Sequence, residues 1–429
     1  MKIFNEKFSI LLLMMPIIAF CDSHRTYDGY KVYEVTLGTQ NDVNFLKSLT
    51  EVDDDDSFDF WSLQSTVGSV STVMVKPDRQ NWFEKSLANR NIQYRVSIMD
   101  LENVINEERQ YQLKMKSIHW GRSMNSDEMR FDRYYEHDEI NKYLDSLASS
   151  HKNVEVKVIG KSYEGRDIKV IKITNGDGIE KKNSIFIDAG IHAREWIAPA
   201  TALYVVQQLL NDESMAKILN ILDIVVNPVV NPDGYQYTHK KERLWRKTRS
   251  KNIPGCVGTD GNRNFDFHWG EVGASPIPCM ETYRGNKAFS EKETQALRDA
   301  VGEIKDTCKF YLTLHSYGNY MLYPWGYTSK LPDTWKDLDD IAQIGASAIK
   351  NATGTTYTVG SSTNVLYAAA GGSDDYMFAV FNVPISITME LPGGGQNGFD
   401  MPASKIDETV HESSIGIFAM IQAVGQKYN

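Results

Sequence analysis

The chain has 429 residues, of which 41% are hydrophobic and 24% charged, and its formal net charge is −10. This composition excludes collagen-like, low-complexity and wholly disordered chains. The acidic balance argues against a nucleic-acid binder, which needs a basic face to meet phosphates. The length predicts two or three domains, or one large domain with an addition.

The N-terminal residues 1–21 have the pattern of a secretory signal peptide. Two lysines precede a short apolar run over residues 8–20, and Pro16 would interrupt a membrane-spanning helix. We expect cleavage near Cys21 or Ser23, with a membrane anchor as the alternative. Since no later stretch is apolar enough to span a bilayer, we expect a secreted, extracellular protein that does not associate with membranes.

Residues 30–98 predict a small β-α-β-β-α-β unit. Tyr33, Val35 and Leu37 alternate as one face of a strand, and three further strands and two helices follow from the same periodicities. The acidic run over residues 53–56 is interpreted as a solvated loop between elements.

Residues 101–122 differ in character from what precedes them. They are polar and helix-favouring at first, and basic residues then become frequent, among them Arg122 and, further on, Arg130. This is typical of a connecting segment with exposed sites for a trypsin-like protease.

From about residue 131 onward, near-continuous apolar strands alternate with helices. This pattern predicts an α/β fold with a central mixed, mostly buried sheet flanked by helices. The predicted strands cover residues 154–159, 167–173, 184–189, 223–230, 310–314 and 385–389, and the main helices cover residues 200–210, 333–351 and 406–423.

His-x-x-Glu is a common pattern, and context must decide which copy could bind a metal. The pair at 239/242 lies in a charged run, where a solvated face is the better interpretation, and the pair at 268/271 lies in a Gly-rich loop. Only His192, which is paired with Glu195, directly follows an apolar strand. That position is the edge of a sheet where α/β proteins bind ligands.

A third ligand and a candidate base lie at two other strand ends. His315 ends one apolar strand and Glu390 closes another. Two imidazoles and one carboxylate with an open position suit a catalytic zinc, and a carboxylate beside it could take a proton from water and deliver it to a leaving amine. Spacing alone leaves a structural imidazole as the alternative for each His.

Rival signatures are weaker. Gly-x-Ser-x-Gly does not occur, so the usual serine-hydrolase turn is missing. Residues 393–398 match Gly-x-Gly-x-x-Gly but open no predicted helix, which argues against a dinucleotide site. Residues 231–234 are interpreted as a plain turn.

Three cysteines stay after removal of the signal peptide. Cys256 and Cys279 flank a Gly-rich loop and could close it, which would fit an oxidising compartment. Cys308 precedes an apolar strand and is interpreted as a buried free thiol.

Together these motifs resemble those of the zinc metallocarboxypeptidases of the pancreatic A/B type, in their secreted proenzyme form. The resemblance covers nearly the whole chain and is carried by residues 192–196, 231–234, 244–249, 260–264, 315–317, 367–375 and 390–391. It implies the carboxypeptidase fold behind a ferredoxin-like α+β prodomain. The implied division is a signal peptide (1–21), an inhibitory prodomain (22–100), a connecting and activation segment (101–122) and a catalytic domain (123–429).

The resemblance also implies the roles of individual residues. One Zn²⁺ would be held by His192, Glu195 and His315, with Glu390 as general base and acid. Substrate and transition state would be bound by Arg246 at the oxyanion, by Asn262, Arg263 and Tyr367 at the C-terminal carboxylate, and by Arg194, Tyr317 and Phe399 at the next subsites. Cys256 and Cys279 would form the family's disulfide.

Substrate preference depends on Asp374, because the B-type pocket has Asp at this position and the A-type pocket an apolar residue. We expect a preference for C-terminal Lys or Arg, and the small Ser362 leaves room for a long side chain. Gly326 and the Gly-rich residues 392–395 depart from the pattern of B-type and vertebrate members. The alternatives are an A-type preference or an inactive peptide-binding relative.

The expected partners are peptide and protein C-termini as substrates and a trypsin-like protease that cuts after Arg122 or Arg130. We expect a monomer. Asn351 begins a glycosylation sequon.

Overall fold

The computed structural model describes residues 24–52, 57–120, 128–179, 181–394 and 398–429. The predicted signal peptide, the acidic run 53–56 and Arg122 lie outside these residues. Among the helices of the described part, none is both long and apolar enough to cross a membrane.

The N-terminal domain is a four-stranded antiparallel sheet with two helices on it. Its elements are β1 (Lys31–Thr36), α1 (Gln40–Val52), β2 (Phe58–Ser62), β3 (Val70–Val75), α2 (Pro77–Asn89) and β4 (Tyr94–Ile98). The strand order is β2-β3-β1-β4. Tyr33, Val35 and Leu37 are fully buried together with Leu46 and Phe83, so the predicted β-α-β-β-α-β unit is confirmed.

A long helix, α3 (Leu101–Trp120), leads from this domain along the large one. Glu108 on α3 forms an ion pair with Arg243 at 2.5 Å, and Lys116 forms one with Glu136 at 2.7 Å. Burial opposes ionisation of Glu136, but hydrogen bonds from Lys116 and Lys240 outweigh it and lower its pKa to about 2. The connecting segment is therefore held to the large domain by charge pairs at two points.

The large domain is a mixed eight-stranded sheet between helices. Its strands are β5 (Val154–Lys161), β6 (Asp167–Ile173), β7 (Ser184–Ala189), β8 (Asp223–Asn227), β9 (Cys308–Ser316), β10 (Tyr320–Tyr323), β11 (Thr358–Ser361) and β12 (Ile385–Leu391). Its helices are α4 (His137–Ser150), α5 (Ile197–Asn211), α6 (Glu213–Ala216), α7 (Pro232–Lys240), α8 (Lys292–Glu303), α9 (Trp335–Thr353), α10 (Ser362–Val365), α11 (Ser373–Ala379) and α12 (Ile406–Tyr428).

The strand order is β11-β10-β12-β9-β7-β8-β6-β5. The four central strands, β12, β9, β7 and β8, are parallel neighbours, and antiparallel strands lie on both sides of them. Their side chains are buried almost throughout because helices cover both faces. The predicted mixed, mostly buried sheet is confirmed, and the carboxyl ends of β7, β9 and β12 come together at one edge.

One local prediction is wrong. Residues 231–234 do not form a plain turn but begin helix α7, since the side chain of Asn231 accepts a hydrogen bond from the Gly234 backbone at 2.9 Å and Pro232 occupies the first turn.

The charged run that follows is not a solvated face throughout. His239 stacks on Trp196 with ring centroids 4.0 Å apart, and burial lowers its pKa to about 3.

The predicted disulfide between Cys256 and Cys279 is present and spans 23 residues, and Cys308 is a buried free thiol. Beside the disulfide, the Lys247 ammonium donates hydrogen bonds to the carbonyls of Pro278 and Met280, each at 3.0 Å. The closed loop is therefore tied to the segment around residue 247.

Replacement of Cys256 and Cys279 together by Ser should lower the free energy of unfolding by about 3 kcal/mol. Without the cross-link the unfolded chain gains conformational entropy, which favours unfolding. Thermal or denaturant unfolding of the full chain measures the loss. Cys308→Ala, which opens no loop, is the matched control and should cost about 1 kcal/mol. A double variant as stable as the oxidised parent would contradict the expectation.

Candidate active site

Three ionisable side chains meet where the parallel strands end. His192 follows β7 after a short turn, His315 is the eighth residue of β9, and Glu390 lies on β12 directly opposite His315 in the strand register. The turn after β7 passes through Gly190 at φ 70°, where a Cβ would meet Pro199 at 3.1 Å. A glycine is needed here because the chain turns tightly against the start of α5.

His192, Glu195 and His315 form a compact buried triad. Nδ1 of His192 lies 2.7 Å from Oε1 of Glu195, and Nδ1 of His315 lies 3.1 Å from Oε2 of the same carboxylate. The two Nδ1 atoms are themselves 3.1 Å apart. One potential ligand atom from each residue lies within 4.8 Å of the other two, and within the described ranges no other cluster of at least three such residues does so.

This arrangement fits zinc. Two imidazole nitrogens that face each other at hydrogen-bond distance have converging lone pairs, and a carboxylate oxygen completes the set of two His and one Glu found at catalytic zinc centres. Burial raises the pKa of Glu195, but the neighbouring imidazoles outweigh it and lower the pKa below its ordinary value. The carboxylate is therefore ionised, as a metal ligand must be.

Asp260, to which no ligand or catalytic role was assigned from the sequence, holds two members of the site. Its Oδ1 lies 3.1 Å from Nε2 of His192, and its Oδ2 accepts hydrogen bonds from Nη2 and Nε of Arg246 at 2.9 and 3.2 Å. Burial opposes ionisation, but Arg246 and His192 outweigh it, so the pKa of Asp260 lies well below its ordinary value. A carboxylate behind a ligand imidazole orients the ring and sets its tautomer.

Arg246 and Glu390 both lie close enough to the triad to interact with its charges. Nη1 of Arg246 is 3.9 Å from Oε1 of Glu195. Burial, as the largest cause, raises the pKa of Glu390 to about 7, with a further increase from Glu195. A carboxyl group with a pKa near neutrality can both accept and return a proton, which is the property that a general base and acid needs.

Asn262 and Arg263 lie on a short 3₁₀ turn capped by Asp260. Nε and Nη1 of Arg263 donate to the carbonyls of Gly273 and Asn262, each at 2.8 Å, and Oδ1 of Asn262 accepts from the backbone of Ser373 at 2.9 Å. These bonds orient a guanidinium and an amide on the wall of one cavity.

That cavity has a volume of about 490 Å³ and contains most of the residues selected from the sequence. It is lined by His192, Arg194, Glu195, Arg246, Asn262, Arg263, His315, Tyr317, Tyr367, Glu390 and Phe399. Asp374 is not on this wall. It lies at the start of α11, and its Oδ2 accepts a hydrogen bond from Thr388 at 3.1 Å, two residues before Glu390 on β12.

The N-terminal domain closes the cavity from the other side. Oδ2 of Asp59 on β2 accepts a hydrogen bond from the Arg194 guanidinium at 2.6 Å, and both side chains are buried. Trp61 packs edge-on against Phe399 with ring centroids 5.4 Å apart, and Phe399 contacts Tyr317 in turn. A carboxylate and an indole from the small domain therefore contact two of the residues assigned to substrate, Arg194 and Phe399.

The other two His-x-x-Glu pairs do not form metal clusters. His239 is partly buried and stacks on Trp196. His268 contacts Glu271 at 2.8 Å, in a partly exposed loop. The preference for His192, which rested on its position after an apolar strand, is supported by the clustering of the described residues.

Asp260→Asn should weaken zinc binding by about 10- to 100-fold, because the amide cannot stabilise the His192 ring as a carboxylate does. Competition with a chromogenic chelator measures the affinity independently of activity. Asp266→Asn, an exposed carboxylate on the same segment, is the matched control and should bind zinc as the parent does. Equal affinities for parent and Asp260→Asn would show that Asp260 has no such role.

Comparisons with known proteins agree with this geometry. Residues 140–415 match the family described as zinc carboxypeptidase, and residues 33–108 match the carboxypeptidase activation peptide. The chain is 46% identical to carboxypeptidase B of Astacus astacus over 305 residues, which cover 70% of this chain and 100% of that protein.

Both A-type and B-type proteins are among the relatives. Carboxypeptidase A1 of Bos taurus is 34% identical over 96% of this chain and 98% of its own length. The crystal structure of carboxypeptidase A from Helicoverpa armigera superposes with a TM-score of 0.88 at 30% identity, covering 94% of this chain and 100% of that one. The chain therefore belongs to the zinc carboxypeptidase family, as a peptide hydrolase made with an activation peptide.

Proposed function

We propose that the activated enzyme removes Lys or Arg from peptide C-termini, and the observation that carries this proposal is the buried carboxylate of Asp374. Thr388 and Glu390 lie on the same face of β12, because side chains alternate along a strand. The hydrogen bond from Thr388 thus keeps Asp374 near the proposed general base, although Asp374 is not among the residues that line the cavity. A long side chain with a terminal cation is the kind of group that could reach it.

The electrostatics of Asp374 support the same preference. Burial raises its pKa above the ordinary value, because a carboxylate loses hydration in the interior. A bound ammonium or guanidinium would compensate for that loss, whereas an apolar side chain would not. Ser362, whose Oγ donates to the carbonyl of Tyr323 at 3.3 Å, is small and leaves room for a long side chain.

This sequence departs from the pattern of B-type and vertebrate members at two places, Gly326 and the Gly-rich residues 392–395, and neither carries a role in the proposed chemistry. The backbone N–H of Gly326 donates to the carboxylate of Asp375 at 2.9 and 3.0 Å. Gly326 therefore contacts the residue next to Asp374 through its backbone. Residues 395–397 of the Gly-rich segment lie outside the described residues. An A-type preference is the second candidate, and the A-type names among the relatives favour it.

In the proposed mechanism, Arg263 and Asn262 bind the substrate's C-terminal carboxylate, with Tyr367 at the mouth of the cavity. A guanidinium held by two backbone carbonyls loses little entropy when it binds a carboxylate, and the charge-assisted bonds give both affinity and orientation. The last peptide bond is thereby aligned with Arg246, Glu390 and the triad.

When bound at His192, Glu195 and His315, zinc supplies Lewis-acid chemistry at the scissile carbonyl. Glu390 takes a proton from the attacking water and then delivers it to the nitrogen of the leaving amino acid, so water is added across the C–N bond with no net change in protonation. Arg246, kept in place by Asp260, donates hydrogen bonds where negative charge develops on the carbonyl oxygen. The substrate residues on the N-terminal side of the scissile bond contact Arg194, Tyr317 and Phe399.

Asp374→Asn should reduce kcat/KM for a peptide ending in Arg by about 100-fold, since loss of one partner of a desolvated ion pair costs about 2–5 kcal/mol. The measurement compares peptides that end in Arg, Lys, Phe and Leu after activation, with and without a chelator. Hydrolysis of the Phe peptide should fall far less.

Asp333→Asn, an exposed carboxylate, is the matched control for this comparison and should keep the parent's order of substrates. The proposal fails if the activated parent releases Phe or Leu faster than Arg and Lys. It also fails if Asp374→Asn leaves the preference for basic residues intact.

We propose that residues 1–21 are removed on secretion, that 22–100 form the inhibitory prodomain and 101–122 the connecting segment, and that activation cuts before Met129. Met129 and Phe131, which flank the candidate site Arg130, are buried, and the Met129 backbone donates to Oε1 of Gln207 at 2.8 Å. A protease would have to extract both apolar side chains, at about 1.5–3 kcal/mol each. This favours the cut after Arg122.

Arg122→Gln should therefore prevent activation by trypsin, and Arg130→Gln should leave it unchanged. Activity is measured in step with N-terminal sequencing of the large fragment, which should begin at Ser123 in the parent. The assignment would be contradicted if trypsin failed to activate the Arg130→Gln variant, or if the uncut parent were fully active. Secretion is supported by the disulfide, and the expectation of a monomer stays a prediction.

A further inference from the structure

An arginine of the N-terminal segment is bound to the large domain among the residues that line the cavity. The backbone N–H of Arg25 donates to the carbonyl of Lys241 at 2.7 Å, and its guanidinium forms an ion pair with Glu242. The side chain of Arg25 is 34% exposed and that of Glu242 11% exposed. The segment thus bonds to the large domain through backbone and side chain together, as a bound peptide does.

This contact belongs to the cavity that holds the metal triad. Arg25 and Glu242 both line it, together with His192 and Arg246. Glu242 lies in the turn between α7 and the segment that carries Arg246, four residues before it. A peptide whose last bond lies at the triad would pass through this cavity, so Glu242 is within the region that its upstream residues can reach.

The neighbouring cations are held in other interactions. Arg243 pairs with Glu108 of the prosegment, and within the large domain it donates to the carbonyls of Arg194 and Phe399 and stacks on Trp196 at 3.7 Å, contacts that stay after the prosegment is removed. Lys240 pairs with Glu136 at 2.7 Å, and Arg249 stacks on Tyr237 at 3.6 Å. The guanidinium of Arg25 is accommodated among these groups, which demonstrates that the site is compatible with a cationic side chain.

Activation separates Arg25 from Glu242. Glu242 belongs to the proposed catalytic domain and Arg25 to the segment that the proposed activation removes, so the inference rests on that part of the proposed function. Glu242 keeps its interaction with Tyr237, and the position of the guanidinium becomes open to another cation. A carboxylate at the edge of a cleft, next to a backbone acceptor, is suited to a Lys or Arg side chain.

We propose that in the activated enzyme Glu242 and the Lys241 carbonyl form an outer subsite for a Lys or Arg of the substrate on the N-terminal side of the scissile bond, at the position that Arg25 occupies in the proenzyme. Glu242 is then a specificity-determining residue for substrates longer than a dipeptide.

The test uses trypsin-activated enzyme and octapeptides with one common C-terminal residue, the one that the enzyme releases fastest. A single Arg is moved through the upstream positions of an otherwise uncharged peptide, with Ala as the reference. At one position Arg should raise kcat/KM by about 5- to 20-fold, mostly through a lower KM, as a partly desolvated ion pair predicts. The increase should shrink at high salt.

Glu242→Gln should bring the Arg-to-Ala ratio at that position to about one, and Glu242→Lys should reverse it so that Glu is preferred over Arg. Glu303→Gln, a surface carboxylate that pairs with Lys157, is the matched control and should keep the parent's ratio. The proposal is overturned if Arg gives no increase at any position, or if the increase survives in Glu242→Gln, in which case Arg25 and Glu242 serve only to hold the prosegment. Because every ratio is taken at one C-terminal residue, the result does not depend on whether the pocket at Asp374 prefers basic or apolar residues.

Discussion

Buried charge at the carboxyl ends of neighbouring parallel strands is the constraint on which the rest of this structure depends. β7, β9 and β12 are buried along almost their whole length, and the edge where they end collects two imidazoles and two carboxylates. Such groups are tolerated in the interior only when each is compensated. Asp260 and Arg246 provide part of that compensation, since one carboxylate bonds both the imidazole of His192 and the guanidinium. Loss of Asp260 would remove one compensating carboxylate from two buried groups at once, the imidazole of His192 and the guanidinium of Arg246.

The same reasoning explains how the N-terminal domain covers the site. Asp59 of this domain pairs with Arg194 of the large domain, Glu108 of the connecting helix α3 pairs with Arg243, and Arg25 supplies the opposite charge to Glu242. The interface is thus complementary in charge at three separate points, which fixes its register. Under the activation proposed here, removal of the prosegment would expose these groups in the cavity assigned to the peptide.

Much of the fold could be predicted from the chain alone because strands leave a strong local signal. Ser184–Ala189 and Asp167–Ile173 match the predicted strands residue by residue, and Ile385–Leu391 differs by two residues at one end. Short elements such as Tyr320–Tyr323 were missed, since four residues carry too little periodicity. The start of α7 was mistaken for a turn because Asn-Pro-Asp-Gly has the composition of both a turn and a capped helix start.

The active site, like the fold, could be predicted in part from the sequence. The sequence by itself determined which side chains end the apolar strands, and His192, Glu195, His315 and Glu390 could be selected on that ground. It also determined the order of motifs that identifies the family. Only the tertiary structure decided that Asp260 joins His192 to Arg246, that His239 stacks on Trp196, and that Arg25 meets Glu242. These pairings join residues that are far apart in the chain or depend on which face of an element is covered, and no local periodicity encodes a distance between such residues.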